Sequence, residues 1–360
     1  MNPDAFATVL ADYCLEVSSG QQILVRSTTL ASPLLLSLQR AVLERDAWPL
    51  IRPSLPDQEA QFWATARDLH LDSFPPADLS EAETVDAFLR IDAPANTRAL
   101  AGVDPARLAR AARAREPVRE ATLARRWCGT IWPTPAGAQQ AGMSTAEFDS
   151  YLARTLFLDR DDPVAAWSSL SESQARLMTR LSTCSELRIE GEGTDVTVAV
   201  SARTWVNSDG RRNMPSGEVF TGPVETSAEG RIHYSIPTSP RGLEVSGISL
   251  EFREGVVVSA RADRGDEVLQ AMLASDDGAR RLGEIGIGTN FGVDRAIGST
   301  LVDEKMGGTV HLALGRSYPE TGGTNVSAIH WDMICDLRQG GRLSADGEPI
   351  LVDGQFVQSD

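Results

Sequence analysis

Lysine is almost missing from this chain. Of its 34 basic residues one is a lysine, Lys305, and all the others are arginine. Basic residues are also outnumbered, and the net charge of −16 argues against a nucleic-acid partner, which needs a positive face. Cysteine is scarce. Cys14, Cys128, Cys184 and Cys335 are scattered without a CxxC pair, which speaks against a disulfide scaffold or a cysteine zinc site. Buried free thiols in a cytoplasmic protein are the expectation. No apolar run reaches the roughly 18 residues of a membrane span. The first ten residues carry Asp4 and no basic segment ahead of an apolar stretch, so no signal peptide is expected. No GxGxxG or Walker motif follows the first predicted strand, which leaves nucleotide binding there unsupported. Internal repeats and low-complexity tracts are absent.

What is present suits a globular chain of two domains, with 360 residues and 42% hydrophobic content. The first half alternates. Strands are expected over 23–26, 50–52, 85–91 and 127–135. Helices are expected over 33–44 with Ser32 as cap, over 58–69, and over 105–115 with Asp104 as cap and Pro105 in the first turn. Two more are expected, over 145–157 behind a Ser144/Glu147 capping box and over 162–181. Strands alternating with helices imply a mostly parallel sheet. After residue 185 the pattern changes to short strands (187–190, 195–200, 233–237, 248–252, 256–260) with glycine-rich turns, and one helix over 266–273. The predicted fold is therefore an α/β domain over 1–185 and a strand-rich α+β catalytic domain over 186–360 that carries a metal site.

The chemistry concentrates in that second part. Three of the four histidines lie there, and two of them, His311 and His330, stand with Glu218, Glu284 and Asp332, each in a stretch of glycine or small residues. Imidazole and carboxylate together are the ligand chemistry of zinc, manganese, cobalt and iron. His330 and Asp332 are two apart, which puts both on one face of a strand. Ala328 shares that face, while Ile329, Trp331 and Met333 take the other. Around His311 the design repeats. Thr309, His311 and Ala313 share a face, and Val310, Leu312 and Leu314 the opposite one. Glycines at 283, 286 and 288 around Glu284 suggest close backbone approach. Three carboxylates and two histidines suit a two-metal site, in which one carboxylate bridges and an activated water completes the set. Lys305, a few residues before His311, reads as a compact cation needed beside that site.

Long motifs surround these residues. They span 213–223, 278–290, 303–315 and 318–332, with Trp127-Cys-Gly-Thr130, Pro133-Thr134, residues 138–144 and Asp353-Gly354 as further matches. In these the chain resembles the thermophilic-type metallo-aminopeptidases, the family of aminopeptidase T, aminopeptidase S and PepS. The resemblance implies an exopeptidase acting on peptides with a free N-terminus, two divalent ions (zinc, cobalt or manganese) and a homodimer. It places Glu218, Glu284, His311, His330 and Asp332 on the family's metal ligands and Tyr318 on its catalytic tyrosine. Glu218 or Glu284 is then expected to act as base, and Tyr318 or Lys305 to stabilise the oxyanion. Glu304 is expected to support a ligand histidine or the substrate's ammonium. One alternative comes from the same residues: His311, His330 and Asp332 satisfy the triad of mononuclear non-haem iron(II) oxygenases, such as ring-cleaving dioxygenases.

Overall fold

The structure, a computed structural model, describes residues 1–357. It has two compact units: Met1–Trp167 with Gly210–Pro215, and Ser168–Asp209 with the described chain from Ser216 onward.

The first unit is α/β, with one all-parallel sheet. Its strand order is Trp48–Ser54, Gln22–Thr28, Ala87–Asp92, Arg126–Ile131, Asn213–Met214. Ile23, Leu24 and Val25 are all buried, as expected of a parallel strand covered on both faces. The helix Ser32–Leu43 buries Leu34, Leu35, Leu38, Ala41 and Val42 at helical spacing. The expected Ser32 cap is not formed. The chain instead enters through a 3-10 turn, Thr29–Ala31, capped by Thr28, and the Ser32 hydroxyl donates back to the Thr29 carbonyl. The caps at Asp104 and Ser144 do form: Asp104 accepts from the Ala106 amide at 2.8 Å, and Ser144 and Glu147 bond reciprocally. The single helix expected over 58–69 is two, Gln58–Thr65 and Asp68–Asp72, because Ala66 adopts an extended backbone between them.

The change of unit falls within the helix Pro163–Leu181, ahead of residue 185. The C-terminal part of that helix sends Leu177 and Leu181 into the core of the second unit.

The second unit holds two antiparallel sheets. The larger runs Val256–Arg261, Ile248–Arg253, Glu229–Tyr234, Thr194–Ala199, Glu186–Gly191, Arg342–Ala345, Glu348–Val352, Gln355–Phe356. Here the strand expected over 233–237 lies earlier, at Glu229–Tyr234, where it pairs on both sides; Pro237 has no amide to contribute to a ladder. The smaller sheet runs His330–Asp336, Thr309–Gly315, Leu282–Gly288, Glu218–Thr221, Val206–Ser208. Val196, Val198 and Ile232 from the larger sheet and Val310, Leu312, Leu314 and Met333 from the smaller belong to one continuous core. That core claims one face of the smaller sheet and leaves its other face for chemistry.

Candidate metal centre

Strand register brings the five expected ligands onto that other face. Ala313 lies opposite both Glu284 and Asp332, Gly286 opposite His311, Gly288 opposite Glu218, and Gly315 opposite His330. The intervening residues, Val219, Ile285, Ile287, Trp331 and Met333, point into the core. The period of two in a strand thus sorts ligands from packing.

Glycine on the Glu284 strand is a steric necessity. A Cβ built on Gly286 falls 2.1 Å from both Cε1 and Nε2 of His311. The imidazole lies across the strand in the space a side chain would fill. At Gly288 and Gly283 a Cβ would meet the carbonyl oxygens of Met306 (2.0 Å) and Gly315 (2.4 Å). The small residues of this segment let side chains and backbone from neighbouring elements reach the ligand face.

The donor groups converge. His311 Nε2 is 3.1 Å from Glu284 Oε1 and 3.3 Å from Glu218 Oε2. His330 Nε2 is 3.5 Å from Asp332 Oδ1 and 3.7 Å from Glu284 Oε2. Ligand atoms of Glu218, Glu284 and His311 all lie within 4.8 Å of one another, as do those of Glu304, His311 and Asp332. His311 is 0% exposed, Glu218 4% and Glu284 5%.

So many buried carboxylates demand positive charge, and protons supply part of it. Burial pulls the His311 imidazole down, but its bond to Glu284 and the Glu218 charge overcome this and hold it up at about 9. Burial likewise works against His330, yet Asp332 and Glu284 raise it to about 9. Burial pushes the Glu284 carboxyl up, against the pull of His311. Even so, Glu218 Oε2, Asp332 Oδ1 and His311 Nδ1 are buried without a hydrogen-bond partner. Unpaired buried polar atoms are costly, and bound cations would satisfy the two carboxylate oxygens. The residues present therefore fit divalent metal, both in donor chemistry and in the atoms left unpaired.

A cation can take an imidazole nitrogen only after its proton has left. With both histidines held up at about 9, lower pH favours the protonated, competing form. Zinc binding is expected to release protons and to tighten as pH rises toward about 9. Calorimetry in buffers of different ionisation enthalpy measures the proton count; an affinity flat from pH 6 to about 9 would contradict this picture.

The remaining expected residues frame the cluster. The Lys305 ammonium contacts Glu218 Oε1 and Glu304 Oε1. Tyr318 sets its ring 5.0 Å from that of His330 and 5.7 Å from that of Phe220. Burial, followed by the Glu284 and Asp332 charges, raises its phenol, so it remains a proton donor near neutrality.

Several supports were not singled out by the sequence reading. The Arg316 carbonyl accepts from His330 Nδ1 at 2.7 Å, which turns Nε2 toward the cluster. Asn325 donates to the carbonyls of Gly315 (2.6 Å) and Gly278 (2.9 Å), and Asp276 accepts from the Ala328 amide at 2.7 Å and the Ser327 hydroxyl at 3.0 Å. Asp276 and Asn325 both have side chains that read as ordinary turn formers. A backbone carbonyl such as that of Arg316 leaves no mark in a sequence. The other two histidines lie outside the cluster: His70 accepts from the Arg67 amide, and His233 bonds Ser249.

Buried carboxylates and imidazoles gathered on the small-residue face of a sheet make a candidate metal centre. The whole chain then places it among known proteins. Residues 2–356 match the thermophilic metalloprotease family (M29), and the chain belongs to that family. Aminopeptidase 2 of Geobacillus stearothermophilus is 30% identical, over 98% of this chain and 97% of its own length. Aminopeptidase T of Thermus thermophilus is 32% identical, over 72% of this chain and 74% of its own. Among solved structures, wild-type AmpT from Thermus thermophilus superposes with a TM-score of 0.86 at 24% identity, over 99% of both chains. The 2,5-dihydroxypyridine dioxygenase of Pseudomonas putida KT2440 gives 0.60 at 15%, over 99% of this chain and 97% of its own. These two likenesses are of fold alone.

Proposed function

We propose that this metal-dependent aminopeptidase holds two divalent cations with Glu218, Glu284, His311, His330 and Asp332, and removes N-terminal residues from peptides. The observation that carries the reading is the convergence of those five side chains with two carboxylate oxygens left unpaired. Bound divalent cations would supply an ionised water near neutral pH and polarise the scissile carbonyl.

The protein's own groups have separable tasks. Glu218 gives one oxygen to Lys305, and its other, which has no hydrogen-bond partner and lies 3.3 Å from His311, is left to hold a cation. Glu284 has one oxygen on His311 and the other 3.7 Å from His330, outside hydrogen-bond distance. Glu284 is therefore the group that takes the attacking water's proton at Oε2 and returns it to the leaving amine. Tyr318 donates its hydroxyl hydrogen to the oxyanion as the carbonyl carbon becomes tetrahedral. For Tyr318→Phe, kcat is expected to fall about 100-fold with KM little changed. Unchanged turnover at saturating metal would remove Tyr318 from the chemistry.

The cations are zinc, cobalt or manganese, since a nitrogen and oxygen donor set accepts any of them and supply decides. The resemblance to aminopeptidases T, S and PepS carries with it a homodimer and a substrate with a free N-terminus, and the four buried free thiols suit a cytoplasmic setting. Among the described residues no helix is long and apolar enough to cross a membrane. Metal analysis alongside turnover tests the whole reading. Two ions per chain with hydrolysis of leucine p-nitroanilide support it; one iron with oxygen consumption supports the dioxygenase chemistry instead.

A further inference from the structure

Lys305 is the one lysine of the chain, is 1% exposed, and places its ammonium between the carboxylates of Glu218 and Glu304. Its root is fixed, for its amide donates to the Val302 carbonyl at 3.1 Å and its carbonyl accepts from the Asn290 amide at 3.0 Å. Glu218 is held from behind as well, because its carbonyl accepts from Gln174 Nε2 at 2.5 Å. With both backbones anchored, the freedom left to the Glu218 carboxylate is rotation about its own side-chain bonds. The ammonium removes it. Oε1 is committed to Lys305, and Oε2, which has no hydrogen-bond partner, is turned to within 3.3 Å of His311 Nε2.

We propose that Lys305 is a positioning residue: its ammonium orients Glu218 so that a single oxygen, Oε2, faces the cation site, and this task requires an ammonium rather than a guanidinium. The proposal rests on the two-cation reading above. An ammonium is a compact charge with three tetrahedral donors and fits between two carboxylates that approach from different directions. A guanidinium is flat and wider, and prefers to face one carboxylate with a two-pronged contact. The chain uses arginine at every other basic position, so the exception coincides with the place where the shapes differ in effect. Without the ammonium, Glu218 is free to offer both oxygens to one ion, and Glu304 loses its partner.

Full-length protein labelled with 15Nζ-lysine reports this directly, because the chain gives one side-chain lysine signal. Zinc added to the metal-free protein is expected to shift that signal. Lys305→Met and Lys305→Arg are then compared with the parent for zinc affinity, by chelator competition, and for kcat and KM on leucine p-nitroanilide at saturating zinc. Both variants are expected to lose about 10–100-fold in zinc affinity and to lower kcat with KM held within about threefold. The proposal is overturned if Lys305→Arg matches the parent, if Lys305→Met binds zinc and turns over as the parent does, or if the lysine signal ignores zinc. Should Lys305→Met fail to fold, the parent's lysine signal and the arginine variant still decide. A parent protein that binds no zinc sinks the two-cation reading itself; a parent that binds zinc equally well with its variants sinks only the role of Lys305.

Discussion

Gly286→Ala is expected to abolish metal loading and to lower activity at least about 100-fold, the scale of effect seen when a reacting group is displaced by about 1 Å. The substitution adds one methyl group and no charge. That methyl would lie 2.1 Å from Cε1 and Nε2 of His311, well inside van der Waals contact. The imidazole has nowhere to retreat. It is 0% exposed, its strand Thr309–Gly315 is buried at every position, and Val310 and Leu312 on either side are locked in the core. Either the ring rotates away from Glu218 and Glu284, or the two strands separate. Overpacking of this kind costs about 1–3 kcal/mol, which a protein of ordinary stability survives. The signature is therefore a folded protein with lowered melting temperature and almost no bound zinc. Zinc stoichiometry by elemental analysis, read with a circular-dichroism melt, checks it. Full zinc occupancy in the alanine variant would show that His311 does not hold metal from its position across Gly286.

Much of this site was legible beforehand because strands impose a period of two. His330 and Asp332, with bulky residues alternating between them, could share a face only on a strand, and the structure has them on one. The glycines around Glu284 announced close approach, though not that an imidazole is what approaches at Gly286. The parallel sheet of the first unit was likewise visible in its alternation of apolar strands and capped helices. What escaped depended on contacts distant in sequence. Nothing local says that Ala66 breaks a helix, or that Leu177 and Leu181 serve the second unit's core rather than the first's. The Glu116–Leu123 helix went unread because only Val118 in it is buried, which leaves almost no apolar stripe to see. The strands Arg342–Ala345, Glu348–Val352 and Gln355–Phe356 are short and take their order from partners such as Glu186–Gly191, far back in the chain.

Glu284→Gln carries the second large effect, and it separates the two glutamates. The amide keeps the shape of the side chain and its ability to accept a hydrogen bond, but loses the charge and the capacity to shuttle a proton. Turnover at saturating metal is expected to fall about 10²–10⁴-fold, the usual contribution of a positioned base. Stability should move the other way. Burial pushes the Glu284 carboxyl up, so the metal-free fold bears a cost for its ionised form that the amide escapes. The metal-free variant should melt at or above the parent temperature above neutral pH, a gain in stability at the expense of function. Glu218→Gln should behave differently. It removes one of the two carboxylates that hold the buried Lys305 ammonium, and breaking a buried pair costs about 3–5 kcal/mol. That variant is expected to lose stability and metal together. Paired melts and rates on the two amide variants make the comparison. If Glu284→Gln retains turnover within about threefold of the parent while Glu218→Gln loses it with its fold intact, the base is Glu218, and the contact with Lys305 must loosen during the reaction rather than hold Glu218 still.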